Sequence, residues 1–220
     1  MIKLVIFDLD GTLLNTLEDL ADSTNYALKT LGFPPRTIDE VRNFVGNGVA
    51  KLIERAIPKG RENEKFEECL EIFKKNYAQN MNNKTMPYDG IINLLKNLKS
   101  KNYKIAVVSN KFDAAVKGLC RKYFPDLIDT AIGENEKLGI RKKPAPDTVN
   151  QVLKEFQIMN TQAVYVGDSE VDIQTAENAN MKCISVVWGF KDRDFLSKHN
   201  ARIIVNSPEE ILTILENENR

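Results

Sequence analysis

Asp8 and Asp10 stand two residues apart in Asp8-Leu-Asp10-Gly11-Thr12, and Asp168 and Asp172 stand four apart in Gly167-Asp168-Ser169-Glu-Val-Asp172. Between these segments come Ser109-Asn110 and Lys143-Pro144. Each has an ordinary reading alone: Asp-Gly-Thr as a turn, Ser-Asn as a capped loop, Asp172 as a helix cap and Lys143 as a solvated charge. Together they form a set of carboxylates, a hydroxyl, an amide and a lysine that a fold could gather at one place. Anionic groups converging in this way repel one another unless a cation neutralises them, and an all-oxygen ligand set calls for a hard ion such as magnesium.

These residues act together only if the fold gathers them. Apolar, β-branched runs recur at Leu4–Phe7, Ile105–Val108, Ala163–Val166 and Cys183–Val187, and each is apolar almost throughout. That pattern suits parallel strands buried on both faces. Helical periods lie between them: Ile91, Leu94, Leu95 and Leu98; Val116, Leu119, Cys120 and Tyr123; Val149, Val152, Leu153 and Phe156; Ile173, Ala176 and Ala179. Alternation of this kind predicts an α/β fold with a doubly wound parallel sheet. In such a sheet reactive groups collect beyond the carboxyl ends of the strands, where the segments after Phe7, Val108 and Val166 fall.

From about Leu17 to Lys84 the alternation stops. Leu17, Leu20, Ala21, Thr24, Leu28 and Leu31 mark one helix, Val49 to Ile57 a second, and Phe66, Cys69, Leu70, Phe73 and Tyr77 a third, punctuated by Gly32-Phe-Pro-Pro35 and Pro58-Lys-Gly60. An all-helical insertion over residues 15–84 within a core of residues 1–14 and 85–220 is expected. The Glu216–Arg220 end is expected to fray.

Composition narrows the function classes. The 31 basic residues cancel the 31 acidic ones, so no overall positive field exists to hold nucleic acid or an anionic membrane. The longest apolar runs are far short of the roughly 18 residues that cross a bilayer. Asp8 and Asp10 interrupt the apolar start, so a cytoplasmic location is expected. Cys69, Cys120 and Cys183 are dispersed and flanked by apolar residues, which predicts buried thiols in a reducing compartment rather than disulfides or zinc ligands. His199, the single histidine, sits in a polar stretch and is expected to be a solvated loop residue, leaving acid–base chemistry to carboxylates.

The four chemistry-bearing segments resemble, in order, the four motifs of the haloacid dehalogenase superfamily: Asp8-x-Asp10-Gly11-Thr12, Ser109, Lys143, and Gly167-Asp168-Ser169-x-x-Asp172. The helical insertion lies where many members carry a small cap. Within it, Val45-Gly46-Asn47-Gly48 before a helix is similar to bacterial phosphoglycolate phosphatases, which implies 2-phosphoglycolate as the first substrate to consider. Many relatives carry an Asp-Ser pair where this chain has Asn15-Thr16, a change that bears on the cap hinge and leaves the chemistry untouched.

The resemblance implies a phosphomonoesterase acting on a small phosphorylated metabolite through an aspartyl-phosphate on Asp8. Asp8, the Asp10 main-chain carbonyl and Asp168 would bind magnesium, with Asp172 acting through a water. Thr12, Ser109, Asn110 and Lys143 would bind phosphate. In an extended segment residues i and i+2 face the same way, so Asp10 can address the same phosphate as Asp8 and serve as the acid–base group. Halide leaves without a proton, so a second aspartate favours phosphate chemistry over dehalogenation.

A phosphosugar mutase resembling beta-phosphoglucomutase and a pyrophosphatase fit the same core, and a catalytically idle binding module is disfavoured because every catalytic position holds a competent residue. The motifs say nothing of oligomeric state. Substrate choice is expected to reside in the cap at Gly46, Asn47 and Gly48, whose main-chain N–H groups at a helix start would suit a small carboxylate. The alternative is a glycine-assisted turn with Asn47 as an ordinary helix cap.

Overall fold

Leu4–Phe7 form β1, buried on both faces, with a strand paired on each side of it. The computed structural model describes residues 1–135 and 139–219. The chain divides into two compact units, one of residues 1–14 and 87–220 and one of Asn15–Met86. It passes from one to the other at β2 (Leu14–Asn15) and β3 (Met86–Pro87).

The first unit is a six-stranded sheet. Around β1 lie β4 (Lys104–Phe112), β5 (Thr130–Glu134), β6 (Ala163–Gly167), β7 (Lys182–Val186) and β8 (Ile203–Val205), in the order β5-β4-β1-β6-β7-β8. All pairings are parallel, and β1 meets β4 and β6 in register, with Phe7 opposite Val107 and Val166. The chain therefore builds first on one side of β1 and then on the other. A crevice opens at the carboxyl ends of the strands at such a switch point, between the loops after β4 and β6.

Strand alternation sends Leu4, Ile6, Ala106, Val108 and Tyr165 to one face. There they form a core with Val149, Val152 and Leu153 of α7 (Asp147–Phe156) and Ala176 of α8 (Glu170–Asn178). Also in this unit are α5 (Ile91–Ser100), α6 (Asp113–Tyr123), α9 (Arg193–Lys198) and α10 (Pro208–Glu218). Helix α5 packs on β4 and α10, and α6 on β4 and β5.

Several expectations are corrected. Ser109 and Asn110 do not follow a strand; they lie inside β4, which continues to Phe112 with a register shift after Val108. Strands β5 and β8 were not expected: β5 contains a glycine and is only half-buried, and β8 is three residues long. The Glu216–Glu218 segment does not fray but completes α10, because Leu215 is buried and Glu216 and Glu218 pair with Lys101 and Lys182. Asn219 ties the end down through Tyr103 Oη at 2.8 Å; Arg220 lies outside the described residues. His199 is half-buried at the end of α9, stacked on Phe195 at 4.1 Å between ring centroids. Cys69 and Cys120 are buried free thiols, whereas Cys183, also free, is only partly buried.

The second unit is helical: α1 (Leu17–Thr30), α2 (Ile38–Phe44), α3 (Val49–Ala56) and α4 (Phe66–Asn80). Helices α1 and α4 pack together, and Phe73 and Tyr77 stack at 5.4 Å within α4. Helix α2 was not expected, although Thr37 and Glu40 form a capping box that fixes its start. Among the described residues no helix is long and apolar enough to cross a membrane.

Candidate active site

Asp8 follows β1 directly, and its N–H donates to Val166 O at 2.9 Å, continuing the β1–β6 ladder by one residue. The chain then turns sharply. Leu9 O accepts from the N–H groups of Leu13 and Leu14, and Gly11 N–H donates to Leu14 O at 2.9 Å. Gly11 has φ +86°, in the left-handed region, and a Cβ there would collide with the Asp168 carboxylate. Only glycine permits this approach of the two segments. Gly167 is required for a similar reason, because a Cβ on it would overlap the Asp172 side chain.

Asp168 directly follows β6 and is held from two sides. Phe190 N–H donates to its Oδ2 at 2.7 Å and the Thr12 hydroxyl to its Oδ1 at 3.4 Å. Thr12, expected to bind phosphate, thus orients a carboxylate, and its own carbonyl accepts from Trp188 Nε1 at 3.0 Å. Asp172 lies in the first turn of α8, 0% exposed, with Oδ2 accepting from Ser169 N at 3.1 Å and Ser169 Oγ at 2.7 Å. It is both a helix-capping residue and a member of the acidic cluster.

Lys143 ties the segments together. Its Nζ donates to Asp172 Oδ1 at 2.7 Å and to Tyr165 Oη at 3.0 Å, and lies 2.9 Å from Asp8 Oδ1. The last contact is an ion pair that brings the ammonium directly against the Asp8 carboxylate. Asn110 donates from Nδ2 to the Lys143 carbonyl at 3.0 Å, anchoring the lysine's backbone. Ser109 is buried, and its Oγ accepts from Lys111 N at 3.3 Å. Asp10 is paired with Lys111, whose Nζ lies 3.0 Å from both of its carboxylate oxygens.

Carboxylate oxygens of Asp8, Asp168 and Asp172 all lie within 4.8 Å of one another, and all three residues are buried. Burial pushes the Asp8 carboxyl up to about 7; Lys143 opposes the rise, and Asp172 and Asp10 add to it. Burial likewise holds Asp168 well above the usual carboxylate range, reinforced by Asp172 and Asp8 and opposed by Phe190 N–H. Burial alone would lower the Lys143 ammonium, but Asp172 and Asp8 keep it well above its ordinary value. Four carboxylates face two ammonium groups here, an excess of two negative charges when all are ionised. A divalent, oxygen-seeking cation fits this donor set, in which three buried carboxylates converge.

The residues that sequence reasoning missed were within its reach. Lys111, a charged residue, lies two positions beyond Ser109 and closely follows the apolar run Ile105–Val108. Tyr165 is the one polar-tipped side chain in the run Ala163–Val166, three residues before Asp168. Trp188 and Phe190 follow β7 at the same sheet edge, beyond a strand end that carries no charged motif.

In the helical unit, Gly46, Asn47 and Gly48 connect α2 to α3. Gly48, at φ +84°, is the N-cap of α3. Asn47 does not cap that helix; its Oδ1 accepts from Arg55 Nη2 at 3.0 Å, and Arg55 Nη1 donates to Phe44 O at 2.7 Å. Arg55 closes the loop by an interaction that the local sequence did not signal.

Residues 5–186 match the model of the haloacid dehalogenase-like hydrolases. The chain belongs to this family. It is 35% identical over 196 residues to a phosphoglycolate phosphatase of Psychrobacter arcticus, covering 86% of this chain and 84% of that one. It is 32% identical to the phosphoglycolate phosphatase of Aquifex aeolicus, covering 98% and 97%. The crystal structure of a Lactobacillus delbrueckii protein assigned as a phosphoglycolate phosphatase superposes with a TM-score of 0.91 at 40% identity, over 95% of this chain and 96% of that one. This member of the haloacid dehalogenase-like hydrolases is thus an enzyme similar over nearly its whole length to phosphatases.

Proposed function

We propose that this hydrolase is a magnesium-dependent phosphomonoesterase whose first substrate is 2-phosphoglycolate. The observation that carries the reading is the buried cluster of Asp8, Asp168 and Asp172 joined by Lys143 at the switch point of the sheet. The names of the relatives favour a carboxylated two-carbon phosphate and favour water over a second sugar hydroxyl as the final acceptor.

Asp8, the Asp10 carbonyl and Asp168 would hold magnesium, with Asp172 one water away; when bound, the cation offsets the repulsion between the Asp8 carboxylate and the phosphate dianion. Asp8 attacks phosphorus, and the ester P–O bond breaks to leave an aspartyl-phosphate. Lys143 and Ser109 hold phosphoryl oxygens, as a charge and a hydroxyl donor, and Asn110 keeps Lys143 in place and offers its main-chain N–H. Asp10 gives a proton to the departing alkoxide and later takes one from the water that attacks the phosphoenzyme. Thr12 acts by orienting Asp168. The helical unit, residues 15–84 in the sequence reading, is assigned the selection of substrate through Gly46, Asn47 and Gly48, and the free thiols suit a cytoplasmic setting.

The test is a phosphate-release screen with magnesium over phosphoglycolate, sugar phosphates, nucleotides and pyrophosphate, using the wild-type enzyme and Asp8→Asn. Preference for phosphoglycolate, abolished in Asp8→Asn, is expected. Preference for another monoester would overturn the substrate, and substantial turnover by Asp8→Asn would overturn the covalent route.

A further inference from the structure

Lys111 has no part in the reaction as described, yet its side chain is 1% exposed. A buried ammonium persists only where a carboxylate compensates it. Asp10 does so with both oxygens at 3.0 Å from Nζ. Equal distances to both oxygens fix the direction in which the carboxylate points as well as neutralising it, since swinging the side chain about its Cα–Cβ bond would lengthen the contacts. The lysine is itself held at its base, because it lies in the irregular stretch of β4 between Val108 and Phe112 and its N–H donates to Ser109 Oγ at 3.3 Å. Such shifts re-aim side chains at the ends of strands.

We infer that Lys111 is a positioning residue that locks the Asp10 carboxylate in the orientation needed to receive a proton from water; this rests on the assignment of Asp10 as the acid–base group. In the first half-reaction the Asp10 proton passes to the leaving oxygen as the ester P–O bond breaks, and Asp10 becomes a carboxylate. In the second, water attacks phosphorus and the bond to Asp8 breaks. The water proton passes to Asp10, which restores both aspartates and releases phosphate. A single ammonium shared by both oxygens matches the carboxylate that must act in this second step.

Lys111→Met is the test, with p-nitrophenyl phosphate as the probe, because p-nitrophenolate departs without a proton. The expected result is a burst of p-nitrophenol near the wild-type rate, then a steady state slowed about 10- to 100-fold. KM should fall with kcat, so that kcat/KM stays within about threefold of wild type. Lys111→Arg, which keeps the charge with altered geometry, should recover part of the steady-state rate. Asp10→Asn/Lys111→Met, which removes both buried charges, should be no slower than Asp10→Asn, whether or not the single lysine variant folds.

A burst that shrinks in proportion to lost folded protein, a kcat/KM that falls with kcat, a wild-type steady state, or a double variant clearly slower than Asp10→Asn would each overturn the proposal. Failure of the underlying assignment is distinguishable, since Asp10→Asn itself would then turn over an alkyl phosphate at the wild-type rate.

Discussion

The hydroxyl of Tyr165 accepts a hydrogen bond from Lys143 Nζ at 3.0 Å and donates one to Val108 O at 3.0 Å, so a core strand residue aims the ammonium that joins Asp8 to Asp172. Tyr165→Phe keeps the packing of the ring and removes this prop. A loss of about 1–3 kcal/mol of stability is expected from the unsatisfied buried groups. With Lys143 less restrained, KM for phosphate esters should rise several-fold more than kcat falls, checked by steady-state kinetics beside thermal unfolding.

Asp8 and Asp168 are both raised in the folded chain, Asp8 from 3.8 to about 7. An acid raised on folding binds its proton more tightly when folded, so metal-free stability falls as pH rises between those two values. Magnesium bound as proposed would replace the protons at the cluster. Its stabilising effect should therefore be small near about pH 5 and grow as pH rises through about 7, read as the shift in Tm with and without magnesium. An equal shift at both pH values would refute binding at these carboxylates.

Asp168 and Asp172 should separate by what each also supports. Asp168→Ala should raise the magnesium requirement sharply with a moderate loss of stability. Asp172→Ala removes the capping-box partner of Ser169 and the partner of a buried lysine, so a loss of about 3–5 kcal/mol is expected. Asp172→Asn, which is closer in shape, should fold better and show a smaller rise in magnesium requirement than Asp168→Ala. Metal titrations beside denaturant unfolding test this order.

Gly48 sits at a positive φ, so a valine there would be strained whatever the loop does. Asn47→Ala is the cleaner probe, since it frees Arg55 Nη2 and leaves the backbone conformation accessible. If the loop selects substrate, KM for phosphoglycolate should rise about tenfold while p-nitrophenyl phosphate is spared. Equal loss on both, in step with Tm, would mark the loop as structural.

The four reactive segments were legible in the chain because their residue types are wasteful elsewhere: buried strands ending in Asp-x-Asp-Gly-Thr and Gly-Asp-Ser-x-x-Asp place charge where apolar residues would be more stable. The central strands could be read for the same reason, since burial on both faces demands uninterrupted apolar runs. The edge strands β5 and β8 escaped because half-burial and short length erase that signal. Partners distant in sequence could not be read at all. Lys111 meets Asp10 across 101 positions and Lys143 meets Tyr165 across 22, and these pairings arise only when parallel register brings the ends of β1, β4 and β6 together. Local pattern reports what a residue can do. Which proton or oxygen it meets is decided by strand order and by the low-dielectric interior, where an unpaired charge is not tolerated.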